Sequence, residues 1–178
     1  MVVDTILFGD CRETLKEFDG KARTCVTSPP YYGLRNYGNE EDQIGQEQTP
    51  EEYIQNLVEV FRSVRDVLTD DGTLWVNIGD SYYNYRPGKG QALPKQTVSK
   101  TKQDLPDKCA KRGNKLEGLK EKDLIGIPWM LAFALRADGW YLRQDIIWHK
   151  PNPMPESVKD RCTKSHEYIF LLSKNRKY

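Results

Sequence analysis

Ser28, Pro29, Pro30 and Tyr31 follow one another, with only Thr27 between them and the short apolar run Thr24-Cys25-Val26. These residue types in that order can work on a poorly nucleophilic amine. In the exocyclic amine of cytosine or adenine the nitrogen lone pair is delocalised into the ring, so a site that methylates it needs acceptors for both amine hydrogens. Proline fixes φ and carries no N–H, so two in succession hold the backbone extended and can aim the Pro29 carbonyl from a rigid position. The Ser28 hydroxyl offers the second acceptor. Two such bonds draw the nitrogen toward tetrahedral geometry and free its lone pair for in-line attack on a methyl sulfonium, through positioning and electrostatics rather than covalent catalysis. Tyr31 adds a ring face on which a flipped base can stack, worth about 1 to 3 kcal/mol per base. Pro-Pro after a strand is also common turn punctuation, so the tetrapeptide by itself leaves both uses open.

The elements that must position these residues read as α/β. Thr5 to Phe8 is a candidate strand, Cys11 to Phe18 a helix, and a second strand runs into Ser28, whose end is where an open α/β sheet binds ligands. The clearest helix starts at Thr49-Pro50-Glu51-Glu52, which combines an N-cap, a first-turn proline and a capping-box glutamate; Ile54, Leu57, Phe61, Val64 and Leu68 then mark one apolar face. Leu74 to Ile78 is a buried strand. Its end, Gly79-Asp80-Ser81, falls on the same sheet edge as Ser28, so Asp80 either lines the site or caps a turn. Pro128 to Ala137 forms a helix stopped by Gly139, and Trp140 to Trp148 and Tyr168 to Leu172 complete the sheet. Alternating strands and helices of this kind predict a parallel sheet covered on both faces. No internal repeat is visible.

With 178 residues, 38% hydrophobic and 11% aromatic, the chain suits a single domain over residues 1–178. No apolar run approaches the roughly 18 residues that span a bilayer, and the N-terminus lacks a secretion pattern, so a cytoplasmic location and no membrane partner are expected. Cys11, Cys25, Cys109 and Cys162 lack metal-ligand spacing, and His149 and His166 are lone histidines, so no metal is expected. The net charge of +1 conceals an asymmetry. Residues 86–122 hold 11 Lys and Arg against 4 Asp and Glu, net +7, leaving the remainder at −6. That stretch carries Pro87, Pro94 and Pro106 and few large apolar residues, and reads as a long, flexible basic loop. It either tracks backbone phosphates or is a solvated insertion.

Four ordered stretches carry a resemblance: Ile6 to Asp10; Thr27 to Tyr32; Gly72 to Tyr82; and Ile147 to Ser157 followed by Ser165 to Phe170. Together they resemble, nearly end to end, the N4-cytosine/N6-adenine DNA methyltransferases in which the Pro-Pro-Tyr motif precedes the cofactor glycine motif. The resemblance implies a Rossmann-like methyltransferase sheet with helices on both faces, S-adenosylmethionine as methyl donor, double-stranded DNA as partner, and Ser28, Pro29, Pro30 and Tyr31 as the catalytic motif. It implies that Asp10 binds the cofactor near its adenosine portion, although Asp10 with Glu13 also reads as a capping box. Trp148, Lys150 and Asn152, in a stiff loop with Pro151, Pro153 and Pro155, become candidate contacts to the target base. Tyr32 and Arg35 belong to a loop that would close over the flipped nucleotide, with Arg35 toward phosphate, and Asp80 is a further candidate contact.

The family's Phe-x-Gly-x-Gly turn is not found. The one Gly-x-Gly, Gly88-Lys89-Gly90, has no strand before it and reads as loop. The domain is therefore expected to be incomplete at its C-terminus: half of a split enzyme needing a second polypeptide, a truncated product, or a shortened variant. Serine before Pro-Pro favours N4 of cytosine over N6 of adenine. RNA or a protein amide is a further candidate acceptor, usually with asparagine where Ser28 stands. Restriction-linked, regulatory and phage self-protection roles stay open.

Overall fold

A computed structural model describes residues 6–34, 43–83, 116 and 118–178. Its longest helix, α2 (Pro50–Val67), begins as its sequence demands. The Thr49 hydroxyl accepts from the Glu52 N–H at 3.2 Å while the Glu52 carboxylate accepts from the Thr49 N–H at 3.3 Å, and Pro50 occupies a first-turn position that needs no donor. One stripe of α2 buries Tyr53, Ile54, Leu57, Val58, Phe61 and Val64. These residues share a core with Leu74, Val76 and Ile78 of β2 (Leu68–Ile78), Phe170 and Leu172 of β4 (His166–Ser173), and Leu131 and Leu135 of α3 (Ile127–Ala137). Each fully buried aliphatic or Phe side chain contributes about 1.5–3 kcal/mol, so this stripe holds the sheet against the helices.

The sheet has the order β1-β2-β4-β3, with β1 at Ala22–Thr27 and β3 at Tyr141–His149. Strands β1 and β2 are parallel, whereas β4 runs antiparallel to both β2 and β3. The α/β class stands, but the sheet is mixed rather than all parallel. A helix, α2, carries the chain back between β1 and β2. Residues 150–165 between β3 and β4 contain no helix, so the chain has no crossover and simply reverses. The described helices form one layer: α1 (Cys11–Glu17) packs on α2, α2 packs on α3, and Leu15 of α1 joins the same core. On the opposite face Val26 and Trp148 stay 77% and 50% exposed, so among the described residues the second helix layer is not formed.

Two further expectations change. Ile6, Leu7 and Phe8 form no strand and are 76%, 52% and 88% exposed; no described strand lies alongside to satisfy their backbone groups. The Asp10–Glu13 capping box is only half made. Asp10 accepts from the Arg12 N–H at 2.8 Å, while Glu13 pairs with Lys16 instead.

Most of the basic stretch 86–122 lies outside the described residues, as do Arg35 and Cys109. Its two roots are tied together beside the sheet edge: the Tyr83 N–H donates to Asp123 O and the Lys122 N–H to Tyr83 O, each at 2.8 Å. Among the described residues no helix is long and apolar enough to cross a membrane, no acidic, His and Cys cluster could hold a metal ion, and Cys11, Cys25 and Cys162 are free thiols.

Candidate active site

Strand β1 ends at Thr27, paired with Val76 in the middle of the sheet, and residues 28–34 leave it as a loop clamped from below. The Tyr53 hydroxyl donates to Pro30 O at 2.8 Å, the Leu34 N–H to Tyr31 O at 3.2 Å, and the Ser81 hydroxyl to Tyr32 O at 3.2 Å. Gly45, at φ +97°, supports the same loop. A Cβ there would stand 3.3 Å from Pro30 Cβ, Pro30 O and Tyr31 O, and its carbonyl accepts the Gly33 N–H at 2.8 Å. The Pro29 carbonyl takes no hydrogen bond from a described residue, and Ser28 is exposed. The clamps therefore do not use the two acceptors that amine chemistry requires, of which Ser28 is exposed and Pro29 is buried.

Tyr31 turns its ring over Gly79, the residue after β2. A Cβ on Gly79 would lie 2.7 Å from Tyr31 Cε2 and 3.0 Å from Cδ2, so only glycine leaves the ring its seat. From there the phenol donates to Glu167 Oε2 at 3.2 Å. The same oxygen accepts from Asn77 Nδ2 at 3.2 Å, and Glu167 Oε1 receives the Lys150 ammonium. A carboxylate only accepts, so Asn77 must present its NH₂ to Glu167; its Oδ1 is buried without a partner among the described residues. Burial pushes the Glu167 carboxyl up, but the bonds from Lys150 and Asn77 outweigh it and hold the group below its ordinary 4.5. Burial raises the Tyr31 phenol; a hydrogen bond with the Ser28 hydroxyl offsets part of that, and the Glu167 charge adds to it.

Of the residues singled out from sequence, the structure thus gathers Ser28, Tyr31 and Lys150. Trp148 pairs directly with Glu167 across the β3–β4 ladder, which puts both side chains on one sheet face. Others point elsewhere. Tyr32 packs on Tyr53 with ring centroids 5.4 Å apart and donates to Gln48 O at 3.3 Å; burial pushes its phenol up to about 12. Asp80 takes the second of its two expected uses and extends it: it accepts from the Ser81 N–H at 2.9 Å in its own turn and caps a helix as well. Its carboxylate accepts from the Gly126 and Ile127 N–H groups at 3.0 Å, supplying the cap that Gly126 has no side chain to give α3. Burial raises its carboxyl even so, with those N–H bonds opposing. Asn152 is exposed in the 150–165 loop. Sequence reasoning passed over Glu167, Asn77, Gly79 and Tyr53. The one signal was a glutamate standing at the head of the apolar strand Tyr168-Ile169-Phe170.

A cofactor site is not complete here. Asp10, the carboxylate expected to hold S-adenosylmethionine, is occupied by the Arg12 N–H at 2.8 Å and the Arg12 guanidinium at 2.5–3.0 Å, and its carboxyl is held low by those bonds. The described glycines serve turns and close contacts. The described residues alone do not make a complete site for that group.

Comparison with known proteins identifies the family. A family model for N6/N4 methyltransferases, described as DNA methylase, matches residues 22–178. The chain is 54% identical over 179 residues to the type II methyltransferase M.SmaI of Serratia marcescens and 52% identical over 175 residues to M.Cfr9I of Citrobacter freundii, covering 97% and 98% of this chain. It spans 56% and 55% of those two proteins. In fold it resembles the cytosine-N4-specific PvuII DNA methyltransferase, with TM-score 0.60 and 16% identity over 95% of this chain and 48% of that one. TTHA0409 of Thermus thermophilus, solved with S-adenosyl-L-methionine, gives TM-score 0.58 and 22% identity over 96% of this chain and 53% of that one. The chain belongs to the N6/N4 DNA methylase family.

Proposed function

We propose that this chain is a site-specific DNA methyltransferase that moves a methyl group from S-adenosylmethionine to the exocyclic amine of a base flipped out of double-stranded DNA. N4 of cytosine is favoured over N6 of adenine. One observation carries the reading: the clamps on residues 28–34 occupy the carbonyls of Pro30, Tyr31 and Tyr32 and do not use the Pro29 carbonyl or the Ser28 hydroxyl. Those two acceptors stand next to a ring seated on Gly79. The chain's own contribution is to hold both amine hydrogens and the base plane, which directs the nitrogen lone pair toward the donor. Sulfonium chemistry belongs to the cofactor when it is bound.

A second reading is favoured by the exposed Ile6–Phe8 segment, by the Asp10 carboxylate paired with Arg12, and by the outer edge of β1, which among the described residues has a strand partner on one side only. In it, the chain binds DNA but methylates only when a second polypeptide completes the cofactor site. One experiment separates the two. The purified chain is incubated with S-adenosylmethionine and unmethylated duplex DNA, the DNA is digested, and the nucleosides are identified by mass spectrometry. N4-methylcytosine supports the first reading as stated, and N6-methyladenine corrects the base. Methyl groups found in RNA or protein, with duplex DNA ignored, overturn it. No product, together with no rise in melting temperature at millimolar S-adenosylmethionine, supports the second reading; a clear rise sinks it.

A further inference from the structure

A phenol has one proton, and here that proton goes to Glu167 Oε2 at 3.2 Å. The ring it belongs to lies against Gly79, where a Cβ would stand 2.7 Å from Cε2, so the tether and the bare glycine together fix the ring's place. Donors from Tyr31, Asn77 and Lys150 converge on one carboxylate, and hydrogen bonds in such a network polarise one another.

We infer that Glu167 is the positioning residue of this site: its carboxylate, fixed between Asn77 and Lys150, locks the Tyr31 ring over Gly79 and so presents the ring face to the target base. Glu167 touches neither base nor methyl donor. Lys150 compensates a carboxylate whose side chain is only 19% exposed, and Asn77 satisfies a second lone pair, so the anion is stable where water is scarce. Lys150, expected to contact nucleotide, thereby holds Glu167 instead.

The inference rests on Tyr31 serving the target base, and the test keeps the two ideas apart. Glu167→Gln preserves size and an acceptor oxygen but removes the charge; Tyr31→Phe preserves the ring but removes the tether. Each is expected to lower kcat for methyl transfer tenfold or more with the KM for DNA within twofold, and the double variant is expected to be no worse than either single one. Multiplying losses in the double variant, or near-normal rates in both single variants while Tyr31→Ala is inactive, would overturn the role of Glu167 and leave the base-stacking reading intact. Full activity in Tyr31→Ala would instead remove the reading beneath it, and this inference with it. A second measurement needs no catalysis and decides the matter on this chain alone. With tyrosine labelled at the ring carbon that bears the hydroxyl, the NMR signal missing from Tyr31→Phe belongs to Tyr31. In Glu167→Gln that signal should shift, and its phenol should titrate at lower pH. An unchanged signal and titration would show that the tether is absent in solution.

Discussion

Gly79→Ala tests the seat of the Tyr31 ring. The added methyl carbon would stand 2.7 Å from Cε2 and 3.0 Å from Cδ2, whereas carbon atoms settle at about 3.5–4.0 Å, so the ring must retreat by about 1 Å. The phenol starts 3.2 Å from Glu167, and a retreat of that size takes it beyond hydrogen-bond range. Losing a bond to a charged group costs about 1.5–3 kcal/mol, close to the 1–3 kcal/mol typical of overpacking, so the two routes to relief cost about the same. The expected result is a loss of about 1–3 kcal/mol in stability and, at 1.36 kcal/mol per decade, a fall of about 10- to 100-fold in methyl transfer. The assay is a double-mutant cycle, with thermal unfolding of Gly79→Ala measured in wild-type and Tyr31→Ala backgrounds. Without the ring there is no clash, and alanine at Gly79 should then be neutral or slightly stabilising, since it lowers the entropy of the unfolded chain. An equal cost in both backgrounds would refute the close approach as its cause. So would native stability and native transfer in Gly79→Ala alone.

Other expectations follow from the same contacts. Asp80→Ala should remove the α3 cap and lower stability by about 1–2 kcal/mol, read as a drop in melting temperature whether or not DNA is present. Ser28→Ala should abolish most methyl transfer while leaving the melting temperature within a degree or two of wild type, because Ser28 is exposed; a large loss of stability would show that Ser28 is structural. The Glu167 carboxyl is held below its ordinary 4.5, against the push of burial, chiefly by Lys150 and Asn77. Lys164 also faces it, and Tyr31 donates to it. A depressed folded-state value means that the stabilisation is fully present above 4.5 and is lost as pH falls through the lower folded value. The melting-temperature gap between wild type and Glu167→Gln should therefore shrink below pH 4.5; a gap that widens there would contradict the assignment. DNA binding by this chain should weaken steeply with salt, the slope of log K against log salt being about 0.9 per phosphate contacted, and neutralising lysines in 86–122 should flatten it if they supply those contacts.

Much of this molecule is determined by local sequence. The capping box at Thr49 and Glu52 and the stripe from Ile54 to Val64 specify α2, because caps and 3.6-residue periodicity act over a few neighbouring residues. Ser28-Pro29-Pro30-Tyr31 announces its chemistry because proline geometry and hydroxyl donors are properties of the residues themselves. Only the tertiary structure decides what depends on distant partners. Asp80 follows glycine as turn residues do, and its carboxylate also serves a helix 46 residues away. Ile6–Phe8 has strand-forming residues but, among the described residues, no neighbouring strand. The β3–β4 pairing brings Glu167 beside Trp148, and with Gly79 bare it comes within reach of a tyrosine 136 residues earlier. A hydrogen bond across such a separation leaves no periodic trace in the chain, because its geometry exists only once the sheet order has placed β2 against β4.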